Sequence, residues 1–248
     1  MSTGTLIADP LSKLGRRELA GIPVPEATST HKPVPHHVIV EALVETLSFR
    51  HIGVVNEEFA ASPDGMKMFG VLDLETEMEG CRFSIGIRNS HDKSIRLGLT
   101  AGLRVFVCSN MAFSGDFTPV LAKHTKSFNL IDTLAVGVDR IQRSFEPMRR
   151  QVEAWRQTQI SDDRAKLVLY KAFVDGELEA PKSLLQQVHR HYFEPRYEEF
   201  SARTMWSLSN AFTSAFKELD PIPQFKATAK LGAFLDLQFS RAALASKN

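Results

Sequence analysis

The stretch LIDTLAVGVDRIQRSFEPMRRQVEAW, residues 130–155, decides the fold of the second half of the chain. Its apolar residues recur every three or four positions, the spacing at which one face of an α-helix repeats. This seam consists of Leu130, Leu134, Val138, Ile141, Phe145, Met148, Val152 and Trp155. The spacing predicts one long helix of about seven turns. Pro147 lies inside it and predicts a kink or a break, because proline lacks a backbone N–H and clashes with the preceding turn.

Helical signals continue from there to the end of the chain. Ser161 followed by Asp162 and Asp163 is typical of a helix start, since a hydroxyl caps the first N–H groups and acids suit the positive end of the dipole. That helix should end near Val174, before Gly176. Residues 181–192, 201–219 and 223–243 predict three more helices.

Upstream of the long helix the sequence predicts mostly strands, after a short helix that ends near Arg50. Residues 52–61 and 66–75 flank a turn that contains Pro63 and Gly65, which predicts a β-hairpin. Apolar residues at every second position between residues 81 and 87 predict a strand with one buried face. Further strands are predicted at residues 103–108 and 117–123.

These elements predict an α+β fold, in which a mostly antiparallel sheet block precedes a helical C-terminal half with one long kinked helix. Residues 1–36 contain five prolines and predict an extended arm, because proline favours extended backbone. Residues 37–126 form the helix and strand block, and residues 127–248 form the helical half. Because the apolar seam needs a surface to cover, we expect the helical half to pack on the strand block as one unit.

Composition excludes several classes of protein. The chain has 248 residues, 43% hydrophobic and 24% charged, and 30 basic against 29 acidic residues give a net charge of +1. This balance excludes a strongly basic nucleic-acid coat protein. Neither a membrane span of about 18 apolar residues nor a signal peptide is recognisable, so we expect a cytoplasmic protein without membrane contact. Two cysteines provide neither a disulfide framework nor a four-cysteine zinc site, and we predict no cofactor and no metal.

Polar residues cluster where the predicted strands end. If neighbouring strands share one sheet edge, these residues converge on one pocket, because a rigid sheet fixes the direction in which the chain leaves each strand. The predicted pocket comprises Arg88, Asn89, Ser90, His91, Asp92, Lys93, Asn110, Ser114 and His124.

Part of this set has the residue types of a catalytic site, and the candidates are His91, Asp92, Cys108, Asn110 and His124. One interpretation is a cysteine nucleophile with a histidine base and an orienting asparagine. The alternative is structural, because cysteine is among the most buried residue types, and asparagine at turns bonds the local backbone. Metal binding is disfavoured, since spacings of 1, 16 and 16 residues between the potential ligands match no familiar metal motif.

A second polar feature lies on the predicted long helix. Residues 120–171 hold 10 basic and 6 acidic residues, and one flank of the helix carries most of its arginines. This flank either binds backbone phosphates or forms the solvent face of the helix. The candidate nucleic-acid contacts are Arg140, Arg143, Arg149 and Arg150.

Three strings of residues carry a resemblance to a known family. They are IRNSHDKS at residues 87–94, AGLRVFVCSN at residues 101–110 and KHT at residues 123–125. With Trp206 and the NAFT segment at residues 210–213, they resemble the family catalogued as domain of unknown function 932, often labelled a phage/plasmid-like protein. The resemblance implies carriage by mobile genetic elements, beside genes for recombination, replication or evading restriction. It implies no established activity and transfers no catalytic residue.

Three functions from different classes remain open. The favoured hypothesis is an accessory protein that handles single-stranded or recombining DNA for a mobile element. The second is an inhibitor that binds a host or phage protein, and the third is an enzyme that uses the Cys/His/Asn or His/Asp set. DNA affinity that falls steeply with salt would favour the first, a stable complex with a host protein the second, and thiol-dependent turnover the third.

Overall fold

The computed structural model describes residues 13–108, 110–113, 120–125 and 127–245. The chain divides into two compact units. The strand unit takes residues 9–104 and 117–145, and the helical unit takes residues 105–116 and 146–248, in so far as they are described. Whether the helical half packs on the strand block as one unit therefore stays a prediction.

The secondary structure confirms the α+β class, with strands in the first half of the chain and helices in the second. Two short 3₁₀ turns, Lys182–Leu184 and Glu198–Phe200, flank the helix that begins at Leu185. In chain order the other elements are β1 (Lys13–Leu14), α1 (Arg16–Ala20), α2 (His36–Ser48), β2 (Val54–Ala61), β3 (Lys67–Met78), β4 (Cys81–Ser90), β5 (Leu97–Val105), β6 (Met111–Phe113), β7 (Val120–Ala122), α3 (Leu130–Gln157), α4 (Asp162–Phe173), α5 (Leu185–Phe193), α6 (Met205–Phe216) and α7 (Pro221–Ala245).

The sheet of the strand unit has the order β1-β2-β3-β4-β5, and β7 pairs with β5. β2 and β3 form the predicted hairpin, in which Gly65 takes the positive φ of 69° that the tight turn requires. β3 continues antiparallel into β4, so that Lys67 at the start of one strand faces Ser90 at the end of the other. Residues 13–20 of the predicted extended arm form β1 and α1.

β4 is buried on both faces, although its alternation predicts only one. Phe83 and its neighbour Ser84 are both inaccessible to solvent. The face that carries Ser84 holds a polar network, in which the Asp73 carboxylate accepts hydrogen bonds from the Ser84 hydroxyl at 2.7 Å and from Arg104 Nε at 2.9 Å. Arg104 Nη2 also lies 3.1 Å from a Glu58 carboxylate oxygen. In a sequence, polar side chains that hydrogen-bond to each other look the same as polar side chains in contact with water. This is why the alternation predicts one buried face of β4 where the structure has two.

The long helix α3 continues through Pro147, so the predicted break does not occur, and a kink at that point stays a prediction. The division between the two units falls beside this proline, between residues 145 and 146. In the strand unit, α3 packs on the sheet where Phe145 stacks against Phe83 with ring centroids 4.4 Å apart. Among the described residues, no helix is long and apolar enough to cross a membrane.

Candidate functional site: a basic cavity beside four histidines

Four histidines of the strand unit form a buried cluster at the end of β4. This histidine cluster consists of His31, His36, His91 and His124, none of which exposes more than 7% of its surface. The ring of His36 stacks on that of His91 with centroids 3.9 Å apart, and the ring of His31 stacks on that of His124 at 5.9 Å. His91 and His124 belong to the predicted pocket, and the structure brings both to the same histidine cluster.

Residues 21–35, the segment before α2, are held against the sheet by hydrogen bonds to the backbone of Val34. The Val34 carbonyl accepts hydrogen bonds from Asn89 Nδ2 and His91 Nε2, each at 3.2 Å. The Val34 N–H donates to His124 Nδ1 at 3.3 Å. These three side chains therefore act first as structural partners of an extended segment.

Hydrogen bonds also assign the tautomers of the cluster. His36 Nε2 faces the Gly65 carbonyl at 3.0 Å and donates to it, while His36 Nδ1 accepts from Asn89 Nδ2 at 2.9 Å. Because His124 Nδ1 accepts from the backbone, the proton of the neutral ring lies on His124 Nε2. Burial lowers the pKa of His36 and of His124 to about 4 and also lowers the pKa of His91. These three rings are neutral near pH 7.

Two polar atoms of the cluster are buried without a hydrogen-bond partner among the described residues, His91 Nδ1 and His124 Nε2. The first is an acceptor and the second an N–H donor, according to the tautomers above. An unpaired buried donor costs about 1–3 kcal/mol, so such atoms call for an explanation. For His124, a ligand that accepts a hydrogen bond provides one.

A cavity of about 310 Å³ opens beside the cluster, and we call it the basic cavity. It is formed by the segment before α2, the β4–β5 loop and the residues after β7. Hydroxyls, imidazoles and cations line it, and no carboxylate does among the residues that the structure describes. The lining consists of Thr30, His31, Ser90, Lys93, Ser94, Ile95, Arg96, Lys123, His124 and Thr125.

The basic cavity has a strongly positive lining. Lys93, Arg96 and Lys123 are exposed, and none forms an ion pair within the described part of the chain. Arg96 is close enough to half-buried Arg88 that burial and this like charge together lower the pKa of Arg88. Lys93 also adopts a φ of 66°, a left-handed conformation that costs energy outside glycine.

The predicted pocket maps only partly onto the basic cavity. Ser90, Lys93 and His124 line the cavity. Asn89 and His91 do not line it, and both donate hydrogen bonds to the Val34 carbonyl. Asp92 is exposed, and its carboxylate accepts the Ser94 N–H at 3.0 Å in a local turn. Ser114 lies outside the described residues.

Asn110 and Cys108 do not line the basic cavity but a second cavity, of about 300 Å³, in the helical unit. Asn110 Nδ2 donates to the Asn210 carbonyl at 3.0 Å, and the Cys108 carbonyl accepts from Lys217. Burial raises the pKa of the Cys108 thiol, which keeps it protonated and weakly nucleophilic. The structural interpretation of Cys108 is therefore better supported than the catalytic one.

Beyond Ser90, Lys93 and His124, the predicted pocket left out the residues that line the basic cavity, among them His31, Arg96 and Lys123. His31 lies in the proline-containing arm, and its partners are 60 and 93 residues away along the chain. Arg96 lies two residues after the IRNSHDKS string, and Lys123 begins the KHT string, both of which the sequence did single out. A search for cations next to those stretches would have found them.

The arginines predicted to contact nucleic acid are less available than the cations of the basic cavity. In the helical unit, Glu146 lies 3.8 Å from Arg149 and 3.1 Å from Arg150 and neutralises part of their charge. In the strand unit, Arg143 acts electrostatically on Asp139, which is paired with Arg50 at 2.5 Å. A role for Arg140, Arg143, Arg149 and Arg150 in DNA binding stays a prediction.

The sequence profile of the family described as Domain of unknown function (DUF932) matches residues 28–231, so the chain belongs to this family. The match contains the whole histidine cluster and every residue that lines the basic cavity. No curated protein and no solved structure matches the chain. Among the described residues, no group of three or more histidine, cysteine or carboxylate side chains is placed to hold a metal ion.

Proposed function

We propose that the protein binds the sugar–phosphate backbone of single-stranded DNA in the basic cavity. The observation that carries the proposal is the lining, which presents Lys93, Arg96 and Lys123 without a carboxylate among the described residues. Phosphate oxygens are bound by cations and by N–H and O–H donors. A cleft lined by one sign of charge also concentrates the field that attracts a polyanion.

The buried ring of His124 is a second observation that supports the same proposal. Its Nε2–H is a buried donor without a partner, and His124 lines the basic cavity. A phosphate oxygen that accepts this hydrogen bond removes the desolvation penalty of the donor. A solvated face of lysines, the alternative interpretation of the charge, does not explain a buried ring that lacks a partner.

The shape of the site favours a single strand over a duplex. A concave cavity of about 310 Å³ accommodates one phosphate with part of its sugar. A flexible single strand can turn a phosphate into such a cavity, whereas the phosphates of a stiff duplex lie along a convex surface. Carriage by a mobile genetic element, which the family resemblance implies, agrees with this proposal.

The other two functions have less support. The Cys/His/Asn form of the enzyme hypothesis requires an activated nucleophile, and burial raises the pKa of Cys108 instead of lowering it. For an inhibitor of a host protein, no described feature selects a partner. DNA binding is therefore the function to test first.

The test measures affinity for a fluorescent single-stranded oligonucleotide between about 50 and 300 mM salt, where each neutralised phosphate contributes a slope of about −0.7. The Lys93→Gln/Lys123→Gln double variant should flatten this slope by about one unit or more. Arg143→Gln/Arg150→Gln tests the predicted helix contacts in the same way. Lys166→Gln/Lys171→Gln, which removes two charges from α4, is the matched control.

The result depends on which pair of variants changes the slope. Flattening in the lysine variant alone, with the α4 control unchanged, supports the basic cavity as the DNA site. A flatter salt slope in the Arg143→Gln/Arg150→Gln protein alone would place the DNA contact on α3 and contradict the proposed site. If wild-type protein binds single-stranded DNA no better at low salt than at high salt, the DNA-binding proposal is wrong.

A further inference from the structure

His31 has hydrogen-bonding surroundings that restrict its protonation state. Its Nδ1 lies 2.9 Å from the main-chain oxygen of His124, and its Nε2 lies 3.0 Å from the main-chain oxygen of His91. Only 7% of His31 is exposed, so water does not compete freely for either contact. Both ring nitrogens therefore face oxygen atoms that can only accept hydrogen bonds.

A neutral imidazole cannot satisfy this arrangement. It carries one N–H, so its other nitrogen would direct a lone pair at a carbonyl oxygen, and the two would repel each other. The doubly protonated imidazolium donates at both nitrogens and makes two charge-assisted hydrogen bonds. The geometry thus assigns a positive charge to His31, in contrast to the three neutral rings beside it.

This charge lies in surroundings that are already positive. The segment before α2 contributes Glu26 and Lys32, the β4–β5 loop contributes Asp92, Lys93 and Arg96, and the residues after β7 contribute Lys123. The neighbouring rings of His91 and His124 are neutral near pH 7. Glu26 and Asp92 are the carboxylates of these three segments in the part of the chain that the structure describes, and neither lines the basic cavity. With His31, the lining carries four positive charges, which favours a ligand with more than one negative charge.

Resting on the proposed function, we propose that the basic cavity binds a phosphate monoester, such as the terminal phosphate of a DNA strand, and that His31 takes part as an imidazolium. An internal phosphodiester carries one negative charge, whereas a monoester carries about 1.5 to 2 at pH 7. A terminal phosphate is bonded to the strand on one side only. An internal phosphate is bonded on both sides, so a cavity that holds it needs room for two segments of the strand. Lys93, Arg96, Lys123 and the Nε2–H of His124 supply the direct contacts. His31, whose ring nitrogens both bond main-chain oxygens, adds positive charge to the lining.

The test compares ligands that differ only in the terminal phosphate. Binding is measured near pH 7 for a short oligonucleotide with a 5′-phosphate, the same strand with a 3′-phosphate, the hydroxyl-ended strand, a nucleoside monophosphate and inorganic phosphate. We expect one phosphorylated end to bind at least tenfold more tightly than the hydroxyl-ended strand. His31→Gln, whose amide N–H₂ reaches only one carbonyl, should reduce this preference to about threefold or less, with the Lys166→Gln/Lys171→Gln protein as control.

A second measurement keeps the inference testable if His31→Gln does not fold. Nitrogen-15 NMR of wild-type protein labelled at histidine reports the protonation of both ring nitrogens of His31, and the expected spectrum is that of an imidazolium near pH 7. A single protonated nitrogen, or equal affinity for phosphorylated and hydroxyl-ended strands, overturns the inference while leaving DNA binding intact. Equal affinity for the nucleoside monophosphate and the phosphorylated strand supports the monoester site but contradicts the DNA-binding proposal.

Discussion

The imidazole ring of His36 lies flat against that of His91, with 3.9 Å between the ring centroids and 9° between the ring planes. His36 is the first residue of α2, and His91 follows the last residue of β4. The stack therefore fixes where the helix starts relative to the sheet. It also brings two titratable groups face to face in a buried position, where a proton on either ring would be strongly disfavoured.

The first prediction is that the fold loses stability in mild acid because of these rings. Burial lowers the pKa of His36 and of His124 to about 4, below the value of about 6.5 in an unfolded chain. The unfolded chain therefore takes up protons first as the pH falls, so stability is complete above about pH 6.5 and decreases toward pH 4. The loss should be on the order of 3 kcal/mol for each ring. Urea unfolding at several pH values measures it.

His124→Asn is the matched variant for this prediction. The asparagine side-chain oxygen lies where Nδ1 of the histidine lies and still accepts the Val34 N–H, but it does not titrate. Its free energy of unfolding should therefore decrease less steeply between about pH 6.5 and 4 than that of the wild-type protein. Parallel pH profiles for the two proteins would show that His124 is not responsible for the acid sensitivity.

Much of the fold was predictable from local patterns. The turn at residues 62–65 predicts the β2–β3 hairpin because proline and glycine restrict the backbone directly, and the apolar seam predicts α3 because its period is helical. The two burial faces of β4 were not predictable, because the Asp73–Arg104 pair is separated by 31 residues in sequence. Local spacing contains no information about such pairs.

The candidate site was less predictable than the fold. The polar stretches after the strands indicated Lys93 and His124, since the end of a strand fixes the direction in which the chain continues. Grouping Asn110 with them failed, because that residue bonds Asn210, 100 residues further along the chain. No local sequence pattern identified His31 as a site residue, since its role depends on two main-chain oxygens that the tertiary fold brings to it.

The second prediction concerns the buried ion pair of the sheet. Arg104→Met removes the partner of Asp73, whose side chain is only 3% exposed, and leaves a carboxylate buried without its cation. Breaking a buried pair in this way costs about 3–5 kcal/mol. Arg150→Met is the control, since its pair with Glu146 is exposed and such pairs contribute about 1 kcal/mol or less. Similar urea midpoints for the two variants would contradict the importance of the network.

The third prediction is a stabilising substitution in α7. A Cβ added at Gly232 would have its nearest neighbours, Gln151 Nε2 and Trp155 Cη2, at 3.9 Å, which is ordinary contact. Alanine is favoured over glycine in a helix by about 0.5–1 kcal/mol. Gly232→Ala should therefore raise the melting temperature of the protein by a few degrees. A lower melting temperature would show that the helix is packed more tightly there than these distances indicate.

The fourth prediction is that alanine at Gly70 of β3, unlike alanine at Gly232, destabilises the protein. A Cβ at this position would lie 2.4 Å from Cδ1 of Phe59 and 3.1 Å from Cγ2 of Ile87, so both neighbours would have to move. Overpacking of this kind costs about 1–3 kcal/mol. Gly70→Ala should lower the urea midpoint without changing the slope of the transition, provided that only the folded state is affected. An unchanged midpoint would mean that the Phe59 ring can rotate away freely.

The last prediction separates the structural role of Cys108 from a catalytic one. Burial raises the pKa of its thiol, and the thiolate is the reactive form. In a Cys81→Ser protein, iodoacetamide should therefore modify Cys108 much more slowly than it modifies free cysteine at about pH 8, and quickly once denaturant unfolds the chain. Cys108→Ser should also keep the DNA affinity of the wild-type protein within about twofold, since Cys108 does not line the basic cavity. Modification faster than that of free cysteine in the folded protein would instead favour the enzyme hypothesis, because only an accessible thiol with a lowered pKa reacts at such a rate.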